Sequence, residues 1–394
     1  MKNTVYEERA KHRRTFSMNK SIKFLAYPSV LLFLFYSLLG AGCARHLLSQ
    51  QGNRTIPMPE VLEPVDFVIA KEKIVIAETT HIAIYSLKDL HLEKKFARRG
   101  EGPGEFDFPP HITAYPDRIL VNTMGKLIHY SYEGSLIEET KIKFPYNYGT
   151  WPMLPVGENF VGFPTEIEKI NAGAVRISNV GRLYNGEFEP IKQLCEAILP
   201  LVPPPPPPPG QGTRPKPTPQ QDFNVIPDYV DYAVVEDKIF LADNRKGLHI
   251  SVFDQVGDLL YEIDKAYKPM RVSKKYEDDY MKRQKAHPDW ENWQRQFAYR
   301  FRKNFPAFSS FKVAGDKIYI TTYEKKDGKY EIVVMDLQGH ILKRSFSFPL
   351  PPYQDPSYSF TLFSNQFEIY QDRIYSLSYN DETDTYELHI HAID

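Results

Sequence analysis

The chain has 394 residues, 42% of them hydrophobic, which is ample for a large buried core. Its 49 basic and 50 acidic residues balance, so nothing in the overall charge indicates a nucleic-acid or other polyanion partner. Two cysteines, Cys43 and Cys195, exclude a disulfide framework. The 14% aromatic content, mostly Tyr and Phe, is typical of β-strands, because planar side chains pack well on a pleated surface.

The N-terminal segment has the features of an export signal. Lys and Arg are frequent before Phe24, and an uncharged apolar run then extends from Phe24 to Gly42 and ends in small residues. The last residues of this run, Leu39–Cys43, resemble a bacterial lipobox. The resemblance implies that the signal is cut before Cys43 and that the cysteine thiol receives a diacylglycerol.

We therefore expect residues 1–43 to be a signal peptide with a lipobox-like site at Cys43, and residues 44–60 to be a tether that includes a possible closing strand. Met18 is an alternative start, because it would give a signal of ordinary length. The alternatives to lipidation are an uncleaved membrane anchor and an ordinary signal peptide. All three interpretations export the chain.

A short pattern recurs six times in the rest of the chain. Each copy has an acidic residue, a basic or polar residue, and then Ile or Phe followed by another apolar residue. The six copies are Glu72–Val75, Asp117–Leu120, Glu158–Val161, Asp237–Phe240, Asp316–Tyr319 and Asp372–Tyr375. Short apolar stretches precede the copies, and alternating strands and Gly- or Asp-containing turns follow them, so each unit is predicted to be a four-stranded antiparallel meander.

Six such meanders predict an all-β fold, a six-bladed β-propeller with a small α-helical insertion, over residues 61–394. Radial packing covers both faces of each sheet, which a single meander cannot do. The last unit ends with its third strand, Tyr386–Ile393, so we expect Thr55–Leu62 to supply the fourth strand and to close the ring. The alternatives are a two-sheet sandwich and a different number of blades.

The most distinctive stretch is the glycine-rich loop Arg98–Phe106. It resembles the Gly-x-Gly-Pro-Gly-Glu-Phe loop of the six-bladed, NHL-like β-propeller lipoproteins of Bacteroidetes-type bacteria, and so does the helical insertion before Phe305-Pro306. The resemblance covers roughly residues 60–394 and implies the fold and an envelope location, but no activity. The loop does not have the spacing of a phosphate-binding loop, since no Gly-Lys-Ser/Thr is present.

Two insertions interrupt the repeats. Residues 201–221 form a proline-rich tract that cannot pair inside a sheet, and we expect a projecting loop that is either a spacer or a ligand for an aromatic groove. Residues 270–306 are predicted to contain two helices, Ser273–Gln284 and Pro288–Phe305. The second would place its aromatic residues on one face, docked on the propeller; the alternative is a basic cap over the channel, or a surface for a partner or membrane headgroups. These aromatic residues are Trp290, Trp293, Phe297, Phe301 and Phe305.

No motif for metal, cofactor or nucleophile chemistry is found in the sequence. His389 and His391 share one face of a strand but have no visible third metal ligand, and Cys195 is expected to be an apolar filler. The sequence therefore predicts no cofactor, no metal site, no catalytic set and no nucleic-acid partner.

By elimination, the functional site is expected in the axial pocket, where the loops between blades converge. We expect a non-enzymatic binding or scaffold module in the periplasm or outer membrane, held to a membrane by a lipid anchor, with an unknown protein or glycan partner. The alternatives are an NHL-like lyase or hydrolase with a site in the central channel, and a glycan-binding module. The candidate pocket residues are Arg98, Arg99, Glu105, His111, Trp151, Asp228 and Tyr229.

Overall fold

The computed structural model describes residues 53–123, 125–142, 152–171, 174–198, 221–226, 228, 230–288, 290–348 and 367–393. The predicted fold is confirmed: the chain is a six-bladed β-propeller, and its blades are antiparallel sheets. Each blade is a meander whose first strand lies nearest the axis and whose fourth strand lies at the periphery.

The strands follow the six sequence repeats. Blade 1 contains β2 (Pro64–Ala70), β3 (Lys73–Glu78), β4 (His81–Ser86) and β5 (Leu92–Arg98). Blade 2 contains β6 (His111–Ala114), β7 (Ile119–Thr123), β8 (Lys126–Tyr130) and β9 (Leu136–Lys141). Blade 4 contains β16 (Val230–Val235), β17 (Lys238–Asp243), β18 (Leu248–Phe253) and β19 (Leu259–Lys265). Blade 5 contains β21 (Ser310–Ala314), β22 (Lys317–Lys326), β23 (Lys329–Asp336) and β24 (Ile341–Phe348).

Blade 3 has a second strand that is broken in two. Strands β11 (Asn159–Gly162) and β12 (Thr165–Asn171) both pair with the long strand β13 (Ala174–Tyr184). The break falls at Pro164, whose backbone nitrogen has no hydrogen to donate. Strands β10 (Leu154–Val156) and β14 (Pro190–Ile198) complete this blade at its inner and outer edges.

Blade 6 joins the two ends of the propeller. Its first three strands are β25 (Glu368–Tyr370), β26 (Arg373–Asn380) and β27 (Thr385–Ala392), and the fourth is β1 (Arg54–Met58). Strand β1 is antiparallel to β27, with Arg54 opposite Ile390 and Met58 opposite Tyr386. Pairing of the N-terminal strand with the C-terminal one closes the ring without a free edge at β27.

The repeated motif is the turn between the first and second strands of a blade. In blade 1, Lys71 and Glu72 both have positive φ, and in blade 4 Glu236 and Asp237 do as well. Two consecutive residues in the left-handed region are characteristic of a type I′ turn, whose twist matches that of the flanking strands. In five of the six motifs an isoleucine follows the turn and enters the core; Ile74 and Ile239, for example, have no exposed surface.

The hydrophobic core is divided among the blade boundaries. The six clusters of buried side chains that link two blades each lie at a different one of the six boundaries. Between blades 4 and 5, for example, Phe240 and Ile250 pack against Phe311 and Ile320. Burial of both sheet faces in this way is the main stabilisation of a propeller.

The helical insertion differs from its prediction. Helix α1 (Lys274–Ala286) is capped by the Ser273 side chain, and α2 (Trp290–Gln296) follows. The predicted second helix is wrong beyond Gln296: Phe297–Arg300 is strand β20, parallel to β15 (Gln221–Asn224). Backbone hydrogen bonds to β15 and the strand preference of aromatic residues override the helical spacing.

The aromatic residues of the insertion therefore do not form one helical face. Phe301 meets Tyr280 of α1 edge-on, with ring centroids 5.7 Å apart, and Phe305 stacks at 4.5 Å on Tyr323 of blade 5. The insertion packs partly on itself and partly on the propeller. No helix among the described residues is long and apolar enough to cross a membrane.

Candidate functional site

The connections between successive blades lie on one face of the ring. Because a blade has four antiparallel strands, its chain enters the first strand and leaves the fourth at the same face. The loop of residues 99–110 and the helical insertion are two of these connections. We call this side the mouth face, because the first strands, which line the axis, all begin there.

Three polar residues occupy one repeat position near the mouth face. Asp66, His111 and Asp231 each lie eight residues before the repeated isoleucine of blades 1, 2 and 4. Their strand partners are equivalent as well, namely Ala77, Asn122 and Ala242. Lys312 and Glu368 lie at the repeat position two residues further along, in blades 5 and 6. We call these five side chains the axial ionic cluster.

Asp66 and His111 join blades 1 and 2 at the axis. The Asp66 side chain is fully buried, and its Oδ2 atom accepts a hydrogen bond from the Ile112 N–H at 2.8 Å and contacts His111 Nδ1. Its Oδ1 atom accepts from the Phe67 N–H at 2.9 Å. The Asp66 carboxylate and the imidazole are therefore in direct contact, although the buried Nδ1 atom of His111 makes no hydrogen bond within the described part of the chain.

Asp231 repeats part of this arrangement in blade 4. Its Oδ1 atom accepts a hydrogen bond from the N–H of the next residue, Tyr232, at 2.8 Å, as Asp66 does from Phe67. The equivalent local geometry follows from the equivalent position in the repeat. The first strands thus present carboxylates from blades 1 and 4, nearly opposite each other in a six-membered ring.

Lys312 and Glu368 join blades 5 and 6. The Lys312 Nζ atom donates a hydrogen bond to Glu368 Oε1 at 3.1 Å. Burial alone would lower the pKa of Lys312, but attraction to Glu368, Asp231 and Asp66 outweighs burial and raises it. The ammonium is therefore held in its charged form.

The cluster contains more carboxyl groups than basic side chains. Burial raises the pKa of Glu368, and repulsion from Asp66 adds to this rise although Lys312 opposes it. The cluster contains three carboxyl groups, one lysine and one histidine. It is also open: 17% of the His111 side chain, 25% of Lys312 and 18% of Glu368 are exposed, whereas Asp66 is not.

Of the predicted pocket residues, Arg98 and Glu105 belong to the glycine-rich loop, away from the axis. The Glu105 carboxylate accepts hydrogen bonds from Arg98 and from the Gly102 N–H, and these two bonds lower its pKa. A Cβ atom on Gly100 would come within 2.1 Å of this carboxylate. Lys126 of β8 donates to three carbonyl groups of the loop. The loop is thus fixed over the outer half of blade 2.

The other predicted residues are distributed differently. His111 is part of the axial ionic cluster, and the exposed Arg99 donates its backbone N–H to Thr80. Asp228 forms an ion pair with Arg302 at 2.7 Å, which links the approach to blade 4 with the end of the insertion. Trp151 and Tyr229 lie outside the described residues, and so do Cys43 and residues 201–220. Ligand contact by Trp151 and Tyr229 therefore stays a prediction.

Sequence reasoning missed Asp66, Asp231, Lys312 and Glu368. Each follows or lies within a short apolar segment and has no local motif around it. A signal was nevertheless present, because alignment of the repeats on their isoleucine places Asp66, His111 and Asp231 in one column. Charged residues in a column that lies on the innermost strand indicate an axial site.

A shallow groove of about 330 Å³ lies apart from the axis, between the outer strands of blades 3 and 4. Cys195 lines it, and burial raises the pKa of this thiol to about 11, so the reactive thiolate is scarce at neutral pH. Arg245, also in the lining, pairs with Asp243 and donates to the Glu196 carbonyl at 2.7 Å. These contacts hold two blades together. Within the described ranges, no three His, Cys, Asp or Glu side chains are placed to hold a metal.

No protein-family model and no curated protein matches the chain. Similar solved structures include Kluyveromyces lactis Hsv2, at 11% identity and a TM-score of 0.35 over 84% of this chain and 98% of that one. The Neurospora crassa Pan2 WD40 domain has 9% identity and a TM-score of 0.38 over 88% and 95%. BBS1N, solved in complex with ARL6DN, has 11% identity and a TM-score of 0.33 over 84% and 78%. Similarities this remote say nothing about a ligand.

Proposed function

We propose that the chain is an exported, lipid-anchored protein of the cell envelope that binds a ligand at the mouth of its axial channel. The observation that carries this proposal is the axial ionic cluster, in which five blades each contribute one ionisable side chain. A propeller that served only as a spacer would have no need of partly exposed charges at its centre, because each of them costs free energy to desolvate.

The protonation of Lys312 and the hydrogen bonds of Asp66 favour binding over catalysis. Lys312 is held protonated, so its amine is not available as a nucleophile. Both Asp66 oxygens already accept backbone hydrogen bonds, which suits a positioning role. The partner is a protein or a glycan, and the tether at Cys43 would keep the propeller at a membrane surface.

The binding proposal is tested by capture from envelope extracts. Full-length protein in detergent is immobilised and compared with the Asp231→Asn variant, which keeps the Oδ1 acceptor for the Tyr232 N–H. We expect the wild-type protein to retain a specific protein or glycan and the variant to retain less. Retention of nothing beyond what a bare matrix retains would refute the binding proposal. A glycan array identifies the glycan case.

Anchoring has its own test, because the chain has only two cysteines. Metabolic labelling with a fatty acid should modify the wild-type protein and the Cys195→Ser variant, and it should not modify Cys43→Ser. Cys43→Ser should also leave the membrane fraction. Labelling that persists in Cys43→Ser would exclude this residue as the anchor.

A second candidate function, that of a hydrolase or lyase, is supported by the pair of Asp66 and His111. A carboxylate in contact with an imidazole near the mouth of a channel is a common acid–base arrangement. A screen with ester, lactone and polysaccharide substrates would detect turnover that is lost in His111→Gln and kept in His389→Gln, a peripheral histidine of β27. Turnover that is equal in both variants would exclude this site.

A further inference from the structure

We infer that the propeller contacts the membrane with the rim opposite its mouth face, so that the mouth opens away from the lipid. The inference rests on the proposed lipid anchor and adds the surface that touches the bilayer. Each fourth strand ends at the mouth face, so it begins at the opposite rim, just after the turn that follows the third strand. We call this side the tether rim.

Exposed apolar side chains recur at the tether rim in four neighbouring blades. They are the first two residues of the fourth strand in blades 2, 4 and 5, and the second residue in blade 3. These side chains are Leu136, Ile137, Ile191, Leu259, Leu260, Ile341 and Leu342, with exposed fractions of 44–55%. Leu136, Leu259 and Ile341 share one register, because each pairs with the third-strand residue that itself pairs with the repeated isoleucine.

Recurrence at one register arranges these residues as a band. Equivalent positions in a ring of like blades lie at the same height along its axis, so the seven side chains can meet one flat surface together. A single exposed leucine needs no explanation, whereas an apolar band of this extent indicates an interaction surface. The turns just before it in blades 2, 4 and 5 contain Glu133, Asp254 and Asp336 and no Lys or Arg. The attraction is therefore apolar and does not depend on anionic headgroups.

The chain from the proposed anchor enters the ring at this same rim. Arg54 pairs with Ile390, and continuing the register by one residue places Asn53 against His391, which pairs with the repeated Ile374. Asn53 thus has in blade 6 the position that Leu136 has in blade 2. Ten residue steps separate Cys43 from Asn53, and they reach at most about 36 Å when fully extended. A bilayer that holds the lipid on Cys43 therefore lies beside the apolar band, which argues for lipid as the occupant.

The competing lipid contact is the basic helical insertion on the mouth face. Part of the positive charge of α1 is already paired within the helix, since Lys274 contacts Glu277 and Lys275 contacts Asp279. Contact through the insertion would also require anionic lipid, because its exposed surface is charged rather than apolar. Lipid composition and the position of the contact therefore separate the two orientations.

The test places a fluorescent label on either face of the full-length protein, reconstituted in phosphatidylcholine vesicles whose headgroups carry a nitroxide quencher. In a Cys195→Ser background, Ser135→Cys labels the tether rim and Thr383→Cys labels the turn between β26 and β27 at the mouth face. Strand β27 alone spans about 25 Å, which keeps the second label away from the headgroups. We expect the rim label to lose most of its fluorescence and the mouth label to keep it, with or without anionic lipid. Equal quenching of both labels, or stronger quenching at Thr383, would overturn the inference.

Variants locate the contact on the apolar band. The double variant Leu260→Ser/Leu342→Ser should reduce quenching of the Ser135→Cys label, because it removes two exposed apolar side chains from the band. The matched control is Leu62→Ser/Ile198→Ser, which changes two side chains that are 68% and 60% exposed but lie at the mouth ends of their segments. The control should leave the quenching unchanged, and equal quenching in the two double variants would overturn contact through the band.

Failure of the anchor is a separate outcome. The Cys195→Ser protein without an added cysteine should take up no label, because a thioether blocks the Cys43 thiol. Labelling of Cys43 in that protein would refute the anchor and the inference together. A blocked Cys43 with an unquenched rim label would leave the anchor in place and overturn only the orientation.

Discussion

Lys312 and Glu368 hold blades 5 and 6 together at the axis, with Nζ and Oε1 3.1 Å apart. They are unequal partners, because Lys312 also offsets the charge of Asp231 and Asp66, whereas Glu368 is one of three carboxylates. Replacement of Lys312 should therefore change the free energy of unfolding by a different amount from replacement of Glu368.

Lys312→Met is expected to lower the free energy of unfolding by roughly 2–4 kcal/mol, because it leaves three carboxylates without their lysine. Glu368→Gln should cost less, because Asp231 and Asp66 still attract the ammonium of Lys312 in this variant. Urea denaturation of the two variants and of the double variant measures both effects. The matched control is Lys192→Met, which breaks the exposed pair with Asp258 and should cost below about 1 kcal/mol. A larger loss for Glu368→Gln than for Lys312→Met would contradict the charge balance given for the cluster.

The pair of Asp243 and Arg245 predicts a pH dependence. Burial would raise the pKa of Asp243, but the hydrogen bonds and charge of Arg245 outweigh it and lower the pKa. A depressed carboxyl pKa contributes stability that is present above the unfolded pKa and is lost as the pH falls through the folded pKa. Arg245→Met should therefore cost about 2–4 kcal/mol at neutral pH, where it leaves a buried carboxylate unpaired. In this variant burial raises the pKa of Asp243. The loss in free energy of unfolding relative to the wild type should therefore become smaller towards about pH 4, where the Asp243 carboxylate takes up a proton.

Denaturation curves of wild type and Arg245→Met at the two pH values give the difference directly. Arg300→Met, which breaks the exposed pair with Asp222, should cost below about 1 kcal/mol at both. A deficit in Arg245→Met that does not change with pH would mean that Arg245 acts through packing alone.

Two glycines with the same backbone conformation separate close packing from conformational strain. Gly339 has φ of +84°, and a Cβ atom there would come within 2.4 Å of Ile263 in the preceding blade. Gly328 has φ of +79° with no atom within 4 Å of its Cβ position. Gly328→Ala should cost about 1 kcal/mol from the left-handed backbone, and Gly339→Ala about 2–4 kcal/mol because blades 4 and 5 must also separate. Thermal or urea denaturation compares them, and equal losses would show that the blade contact adjusts freely.

The blade repeats were predictable because they are local. The acidic residue, the basic residue and the isoleucine of a motif encode a two-residue turn and the first buried position after it, as Glu72–Val75 shows. The unfinished sixth unit left a strand at Tyr386–Ile393 without an outer partner, and β1 pairs with that strand.

Strand β20 and the axial ionic cluster depend on residues far apart in sequence. The aromatic residues from Trp290 to Phe305 include a set with helical spacing, yet Phe297–Arg300 becomes a strand because β15, more than seventy residues earlier, pairs with it. Lys312 and Asp66 attract each other only because ring closure brings blades 5 and 1 near one axis. Local sequence patterns therefore predict the blades, whereas the set of charged side chains that meet at the axis depends on how the blades are arranged.

Ring closure at blade 6 makes a final prediction. Met58 of β1 is 3% exposed and packs with Leu388 and Ile390 of β27, whereas Thr55 of the same strand is exposed. Met58→Asp should cost about 3 kcal/mol or more, because it places an unpaired carboxylate in this cluster, and Thr55→Asp should cost below about 1 kcal/mol. Hydrogen exchange should show faster exchange of the β27 amides in Met58→Asp alone, since detachment of β1 exposes that strand edge. Protection of β27 that is equal in both variants would mean that the ring stays closed without β1.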